Sequence, residues 1–240
     1  MSRLVDKVFV DSESARQELI KHGLLQEGQV VAFLNGLDVN RWARDGVKAK
    51  EFRDRYRIPP GSYLFGAAGR LDPLKGTDLA LRSFARLRER GGEDSFLCVV
   101  GDGPYRGELQ RLAAELNLES RVVFTGYVDD IGAAYSAIDT LLFTSQLESC
   151  PLVLLEAMAC GCQVVACPVG GVHELLRAPG CGELVSTRGP SDWADVMQRH
   201  LRTPPTERAF LAGRIGEFVR TNHDQRRQFR MVAESLQASA

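Results

Sequence analysis

The sequence predicts an α/β fold: a doubly wound parallel sheet, preceded by a partial α/β segment. Three observations carry this. From about residue 62 short apolar runs recur: YLFGAAG, FLCVVG, RVVFTG, TLLFT, QVVAC and GELV. Segments with helical spacing lie between them. The runs are apolar throughout instead of alternating, as strands are when both faces of a parallel sheet are covered.

The elements follow in order. KVFVDS, a helix-like stretch from Glu13 to His22, and VVAFLNGLD make a strand–helix–strand piece. The stretch from Asn40 to Pro60 is charged and runs into Pro59, Pro60 and Gly61, so it reads as a boundary. Farther on, Leu109, Leu112, Ala113 and Leu116 keep the i, i+3, i+4, i+7 spacing of one buried helix face. Trp193, Val196, Met197, His200 and Leu201 mark another helix, with Ser191 expected to cap its start. Thr203, Pro204 and Pro205 break the pattern, and a charge-rich helical tail is expected from Thr206 to about Ala238. The expected organisation is a leading segment and linker over residues 1–60, a complete α/β domain over 61–205, and tail helices over 206–240.

Composition narrows the class. A chain of 240 residues, 44% hydrophobic, has ample material for one large core. A formal net charge of -1 argues against a nucleic-acid partner, although two or three local cations suffice to hold one small anion. No apolar run approaches the roughly 18 residues of a membrane span. MSRLVDKVFVD lacks an apolar signal region, so the chain reads as cytosolic. Cys160, Cys162, Cys167 and Cys181 lie close together, but C-x-C-x(4)-C without paired histidines is a poor zinc pattern. These cysteines read as buried, reduced thiols acting as small hydrophobes, and no metal site is expected.

In a doubly wound sheet ligands bind beyond the carboxyl ends of the strands, so the loops after the apolar runs are searched for chemistry. The first is Gly69-Arg70-Leu71-Asp72-Pro73-Leu74-Lys75-Gly76. Gly69 permits close backbone approach, Gly76 opens a helix, and Arg70 and Lys75 place two cations beside its free amides. That combination suits phosphate, although the residues alone also fit two solvated side chains. The glycine spacing matches neither the dinucleotide fingerprint nor the triphosphatase phosphate loop. The second loop and helix is QLESCPLVLLEAMACG, residues 146–161. Pro151 suits the first helical position, which leaves the amides of Leu152 and Val153 facing the loop, and Gly161 ends the helix. Glu156 interrupts an apolar helix; it needs either a hydroxyl-bearing ligand or a path to solvent. Gly101-Asp102-Gly103-Pro104 and Thr125-Gly126-Tyr127-Val128 also follow strands, and Tyr127 could pack on a base, although both fit plain turns.

Taken in order, GRLDPLKG, GDGP, VVFTG and ESCPLVLLEAMACG resemble the retaining glycosyltransferases of the GT-B fold, specifically family four, the glycosyl transferases group 1. KVFVDSESARQEL and FLNGLD resemble the same family just before its donor-binding, Rossmann-like domain. The resemblance covers almost the whole chain. It implies transfer of a sugar from a nucleotide-diphosphate sugar with retention of configuration, in polysaccharide or cell-envelope glycan synthesis. It assigns Arg70 and Lys75 to the donor diphosphate, Glu148 to hydroxyls of the transferred sugar and Glu156 to the ribose hydroxyls. The amides of Leu152 and Val153 would meet the phosphates, the Tyr127–Val128 backbone would border the base, and Gly69 is expected among the substrate-binding residues. No cofactor or metal is implied, because the nucleotide sugar is a substrate. Family members often carry Phe-Gly where this chain has Cys150-Pro151, and proline removes one amide from that site.

GT-B enzymes place a second, acceptor-binding domain across the cleft, and residues 1 to about 40 would be its remnant. A glycan or lipid-linked acceptor would be bound through that domain, at the cytosolic face of the membrane in the full enzyme. The expectation for this chain is therefore weak donor binding and poor transfer by itself. The alternatives are a non-catalytic nucleotide-sugar-binding module, or a subunit needing a partner half. An epimerase or a phosphorylase of the same fold is a further reading, although no lysine stands out as a pyridoxal phosphate site for the latter.

Overall fold

The computed structural model describes residues 5–92, 94–177 and 180–237. The first four residues of the segment read for a signal region, and the expected tail end at Ala238, lie outside the described residues.

The leading segment is a small βαβ unit. Strands β1 (Val8–Val10) and β2 (Val30–Ala32) pair in parallel, with helix α1 (Glu13–Lys21) between them. Helix α2 (Gly46–Arg55) follows in the stretch expected as a linker. Asp45 caps it by accepting from the amides of Val47 and Lys48. It was not legible because it buries a single residue, Phe52, and so shows no apolar period.

Six further strands build the main sheet: β3 (Tyr63–Ala68), β4 (Ser95–Val100), β5 (Val122–Gly126), β6 (Thr140–Phe143), β7 (Gln163–Ala166) and β8 (Gly182–Leu184). They correspond to the six apolar runs. All pair in parallel, in the order β5-β4-β3-β6-β7-β8. The chain moves outward from β3 to β5, then returns to place β6 on the other side of β3. The switch point of this doubly wound sheet therefore lies between β3 and β6, where such folds open a crevice.

Helices cover both faces. Helices α3 (Thr77–Glu89), α4 (Arg106–Glu115) and α8 (Pro190–Arg202) bury Leu81, Phe84, Leu109, Trp193 and Met197 against one face. Helices α2, α5 (Ile131–Ala137), α6 (Leu152–Ala159) and α9 (Pro205–Asn222) pack Phe52, Tyr135, Leu155, Met158 and Ile215 against the other. On β3, Leu64 joins one core and Phe65 the other, which is why the strand is apolar at successive positions. Helix α7 (Val172–Leu175) is one turn, and α10 (Gln225–Gln237) ends the described chain. The tail comprises the two helices α9 and α10. At the break between them, the amide of Gln225 donates to Leu37 O at 2.9 Å and the amide of Leu37 to His223 O at 2.7 Å. No described helix is long and apolar enough to cross a membrane.

Two expected helix starts shift. Ser191 does not cap α8: the helix begins at Pro190, whose ring presets the helical φ, and Gly189 holds the cap position. Pro151 sits at the cap of α6 with ψ 117, extended, instead of inside its first turn. All six cysteines are free and buried. Loss of solvent pushes the Cys160 and Cys181 thiols up to about 11, so they stay protonated within the core.

Candidate functional site

The loop after β3 is shaped by Asp72. Its Oδ1 accepts from the amide of Leu74 at 3.0 Å and caps the single 3₁₀ turn Pro73–Lys75. Its Oδ2 accepts from Arg70 Nε at 2.8 Å. Desolvation raises the Asp72 carboxyl, but the Arg70 guanidinium and the amides of Leu74 and Lys75 outweigh it and hold the group below the ordinary carboxylate range. One buried carboxylate thus fixes the turn and orients the guanidinium, leaving the Arg70 side chain 73% exposed at the crevice. Gly76 then adopts φ 64, and a Cβ there would lie 2.3 Å from Thr144 O. Only glycine brings the loop this close to the end of β6.

That approach joins the two loops at the switch point. The amide of Gln146 donates to Leu74 O at 2.8 Å, and Thr144 Oγ1 donates to Lys75 O at 3.0 Å. Lys75 Nζ donates to Glu148 Oε1 at 2.6 Å, and Ser145 Oγ donates to the same oxygen at 2.9 Å. Behind Glu148, Gly170 at φ 52 leaves no room for a side chain, since a Cβ would lie 2.1 Å from Glu148 O.

A cavity of about 330 Å³ opens between these loops. Gly69, Arg70, Lys75, Glu148, Leu152 and Val153 line it. Helix α6 points its amino end into this space with no side-chain cap, so the first-turn amides remain available as donors beside the two cations. Helix start, guanidinium and ammonium together make an anion site.

A second cavity, about 560 Å³, adjoins the first through Gly69 and Arg70. Tyr127, Val128 and Glu156 line it, with Trp42 and Tyr135. The Glu156 carboxylate is half-buried and accepts from the Tyr135 hydroxyl at 3.3 Å. Burial raises its proton affinity above the ordinary range, and the Tyr135 hydrogen bond and Arg41 only partly offset this. Glu156 therefore faces a cavity and is neither sealed in the core nor simply pointed at bulk water. Tyr127 is exposed at the rim, where a flat ligand group can stack.

All nine residues singled out in the sequence thus line two joined cavities beyond β3, β4, β5 and β6. Sequence reasoning missed five contributors. Asp72 was signalled by its Asp-Pro step, a common cap and turn pattern. Ser145 stands three residues before Glu148, but serine there carries no spacing signal. Asn35, which lines the first cavity and donates from Nδ2 to Cys150 O at 2.8 Å, comes from 115 positions away in sequence. Trp42 and Tyr135 are brought to Glu156 only by the packing of α5 and the loop before α2. Among the described residues no group of three or more His, Cys, Asp or Glu side chains is arranged to hold a metal ion.

Fold and crevice together define a doubly wound, Rossmann-like α/β domain with a cationic switch-point cleft. Comparison with known proteins sharpens that class. The chain belongs to the glycosyl transferases group 1 family, whose sequence model matches residues 48–212. It is 34% identical over 223 residues to a D-inositol 3-phosphate glycosyltransferase of Salinispora tropica, covering 86% of this chain and 46% of that protein. A protein of the same description from Saccharomonospora viridis is 31% identical over 241 residues, covering 96% of this chain and 54% of its own length. The chain thus spans about half the length of these curated relatives. Among solved structures, the Anabaena HepE protein in complex with UDP superposes with a TM-score of 0.90 at 24% identity, covering 99% of this chain and 65% of that one. Sucrose-phosphate synthase of Thermosynechococcus elongatus gives 0.82 at 26% identity, covering 98% and 59%. These neighbours are GT-B glycosyltransferases, and the fold is that of their Rossmann-like domains.

Proposed function

We propose that this chain supplies the nucleotide-sugar-binding half of a retaining, metal-independent glycosyltransferase acting in polysaccharide or cell-envelope glycan synthesis. The supporting observation is the pair of joined cavities, with two cations and a bare helix start in one and a carboxylate beside an exposed aromatic ring in the other. Arg70 and Lys75 bind the donor diphosphate together with the Leu152 and Val153 amides. Glu148 accepts from hydroxyls of the transferred sugar. Glu156 accepts from the ribose hydroxyls, and Tyr127 and Val128 border the base.

As the bond between sugar and phosphate breaks, negative charge grows on the diphosphate. Fixed cations and oriented amides stabilise it without reorganising, which is the role a divalent ion would otherwise take. The acceptor, a glycan or a lipid-linked glycan, is bound by a second domain across the cleft, on the cytosolic side. Because several fold neighbours were solved with UDP or UDP-glucose, uridine nucleotides are the first probes.

Calorimetry with uridine, UDP and a panel of UDP- and GDP-sugars tests the reading. UDP is expected to bind more tightly than uridine, and Arg70→Ala to remove most of that difference. Glu156→Ala is expected to weaken uridine and UDP alike. Failure of every nucleotide to bind, or equal affinity of native and Glu156→Ala chains for all of them, would overturn it.

A further inference from the structure

A third cavity, about 590 Å³, lies at the other end of the sheet, below the amino ends of β3, β6 and β7. Arg44, Arg53, Arg208 and Arg220 line it against one carboxylate, Asp139. Their partners distinguish them. Arg53 is fully engaged: Nε and Nη2 donate to Ala137 O, Nη1 to Ser62 O, and Nη2 also reaches Asp139 Oδ2 at 3.0 Å. Arg220 pairs with Glu217 through Nε and Nη2.

Of the other two, Arg208 shares the single Asp139 carboxylate with Arg53, and Arg44 has no counter-charge among the described residues. Arg208 lies 4.9 Å over the Tyr63 ring and 3.8 Å from Asp139 Oδ1, beyond hydrogen-bond reach. Its Nε is buried and has no acceptor. Asp139 does not supply one: its Oδ2 accepts from Arg53 and from the amide of Leu64 at 2.8 Å, and its Oδ1 stands 3.8 Å from Arg208 Nη1. Arg44 is exposed and has no hydrogen bond or ion pair among the described residues. The carboxyl end of α6, at Ala159, also meets this cavity, but a helix end carries only about half a negative charge. A positive surplus therefore persists here, in a chain whose formal charge is -1.

A buried donor without an acceptor calls for a group from outside the chain. Water would satisfy the Nε but not the charge. Along α9 the wall is Ala209, Ala212, Gly213 and Gly216, which keeps the space between the guanidinium groups open. We propose that this cavity is a binding site for a phosphoryl group, held by Arg208 and Arg44 with Arg53 and Asp139 as its fixed floor. Planar guanidinium forks match phosphate oxygens in pairs. The volume exceeds what a bare phosphate fills, so a small phosphate monoester suits it best.

The test follows the arginine Nε–H resonances of the full chain by NMR, titrating inorganic phosphate and, separately, glycerol 3-phosphate. The Arg208 resonance is expected to shift saturably below about 20 mM, a modest affinity. Arg44→Ser, a change at an exposed and unpartnered side chain, is expected to weaken binding about fivefold, the size of one charge contact. Arg208→Gln should abolish binding, and Arg70→Ala, in the distant crevice, should leave it unchanged. Tighter binding of glycerol 3-phosphate identifies an ester as the ligand class; equal binding identifies free phosphate. An immobile Arg208 resonance, no loss with Arg44→Ser, or an equal loss with Arg70→Ala would overturn the proposal.

Discussion

Replacing Glu148 by glutamine separates two roles that its charge couples. Lys75 Nζ lies 2.6 Å from Glu148 Oε1, with side-chain exposures of 36% and 16%. Unit charges about 4 Å apart interact by roughly 4 kcal/mol at an effective dielectric constant near 20. Exposure of the lysine and screening by salt reduce the net worth of such a pair to about 1 kcal/mol. In the free protein that carboxylate competes with the diphosphate for Lys75. Glutamine removes the competition, so UDP is expected to bind about fivefold more tightly. The sugar responds in the opposite direction. A hydrogen bond to a charged acceptor is worth about 1.5–3 kcal/mol and a neutral one about 1, so the change loses about 1 kcal/mol. The affinity increment of UDP-sugar over UDP should therefore fall about fivefold. Calorimetry with UDP and the tightest-binding UDP-sugar, on both chains, reads the two effects separately. Misfolding cannot produce them together, because it weakens both ligands. Weaker UDP binding, or an unchanged sugar increment, would refute the reasoning.

Three further outcomes are expected. Asp72→Asn keeps a good cap for the 3₁₀ turn but presents an amide to Arg70 Nε, so UDP affinity should fall a few-fold with little change in melting temperature or in uridine binding. In an Arg70→Ala background the same change should do nothing to UDP, which a double-mutant cycle measures. Glu156 holds its proton more tightly when folded than when unfolded, so its ionisation at neutral pH opposes folding, and stability rises as pH falls through the raised value toward 4.5. Glu156→Gln should accordingly raise the melting temperature at neutral pH, with the gain vanishing below about pH 4, where both forms are uncharged. Gly76→Ala combines a left-handed φ of 64 with a clash 2.3 Å from Thr144 O, and should cost about 3 kcal/mol by chemical denaturation.

Much of this architecture was legible because burial on both sheet faces writes itself into composition. β4 is buried at every position, so FLCVVG had no polar residue to obscure it. The loops were legible for a different reason: a switch-point crevice collects whatever follows the strands, so Lys75 and Glu148 could be joined without knowing any side-chain position. Helix α2 failed on the same logic. With only Phe52 buried, its stability comes from the Asp45 cap and from packing at α5, and neither leaves a period in the sequence.

The least legible features are the bonds that seat the leading βαβ unit beside the site. The Glu174 carboxylate is buried and accepts from the amides of Glu13 and Ser14 at 3.1 Å each, so a residue of α7 satisfies the first-turn amides of α1 that the Ser12 cap leaves free. Ser149, beside Glu148, donates to Asp11, and Asn35 holds Cys150 O. Each contact spans more than a hundred residues and uses side chains whose types are common in any loop. No periodicity or motif announces them. Yet they decide where Glu148 stands relative to the leading segment, because Ser149 and Cys150 follow it directly in the chain. The residues that carry the proposed chemistry were readable from type and order; those that hold them in register become visible only once the chain is folded.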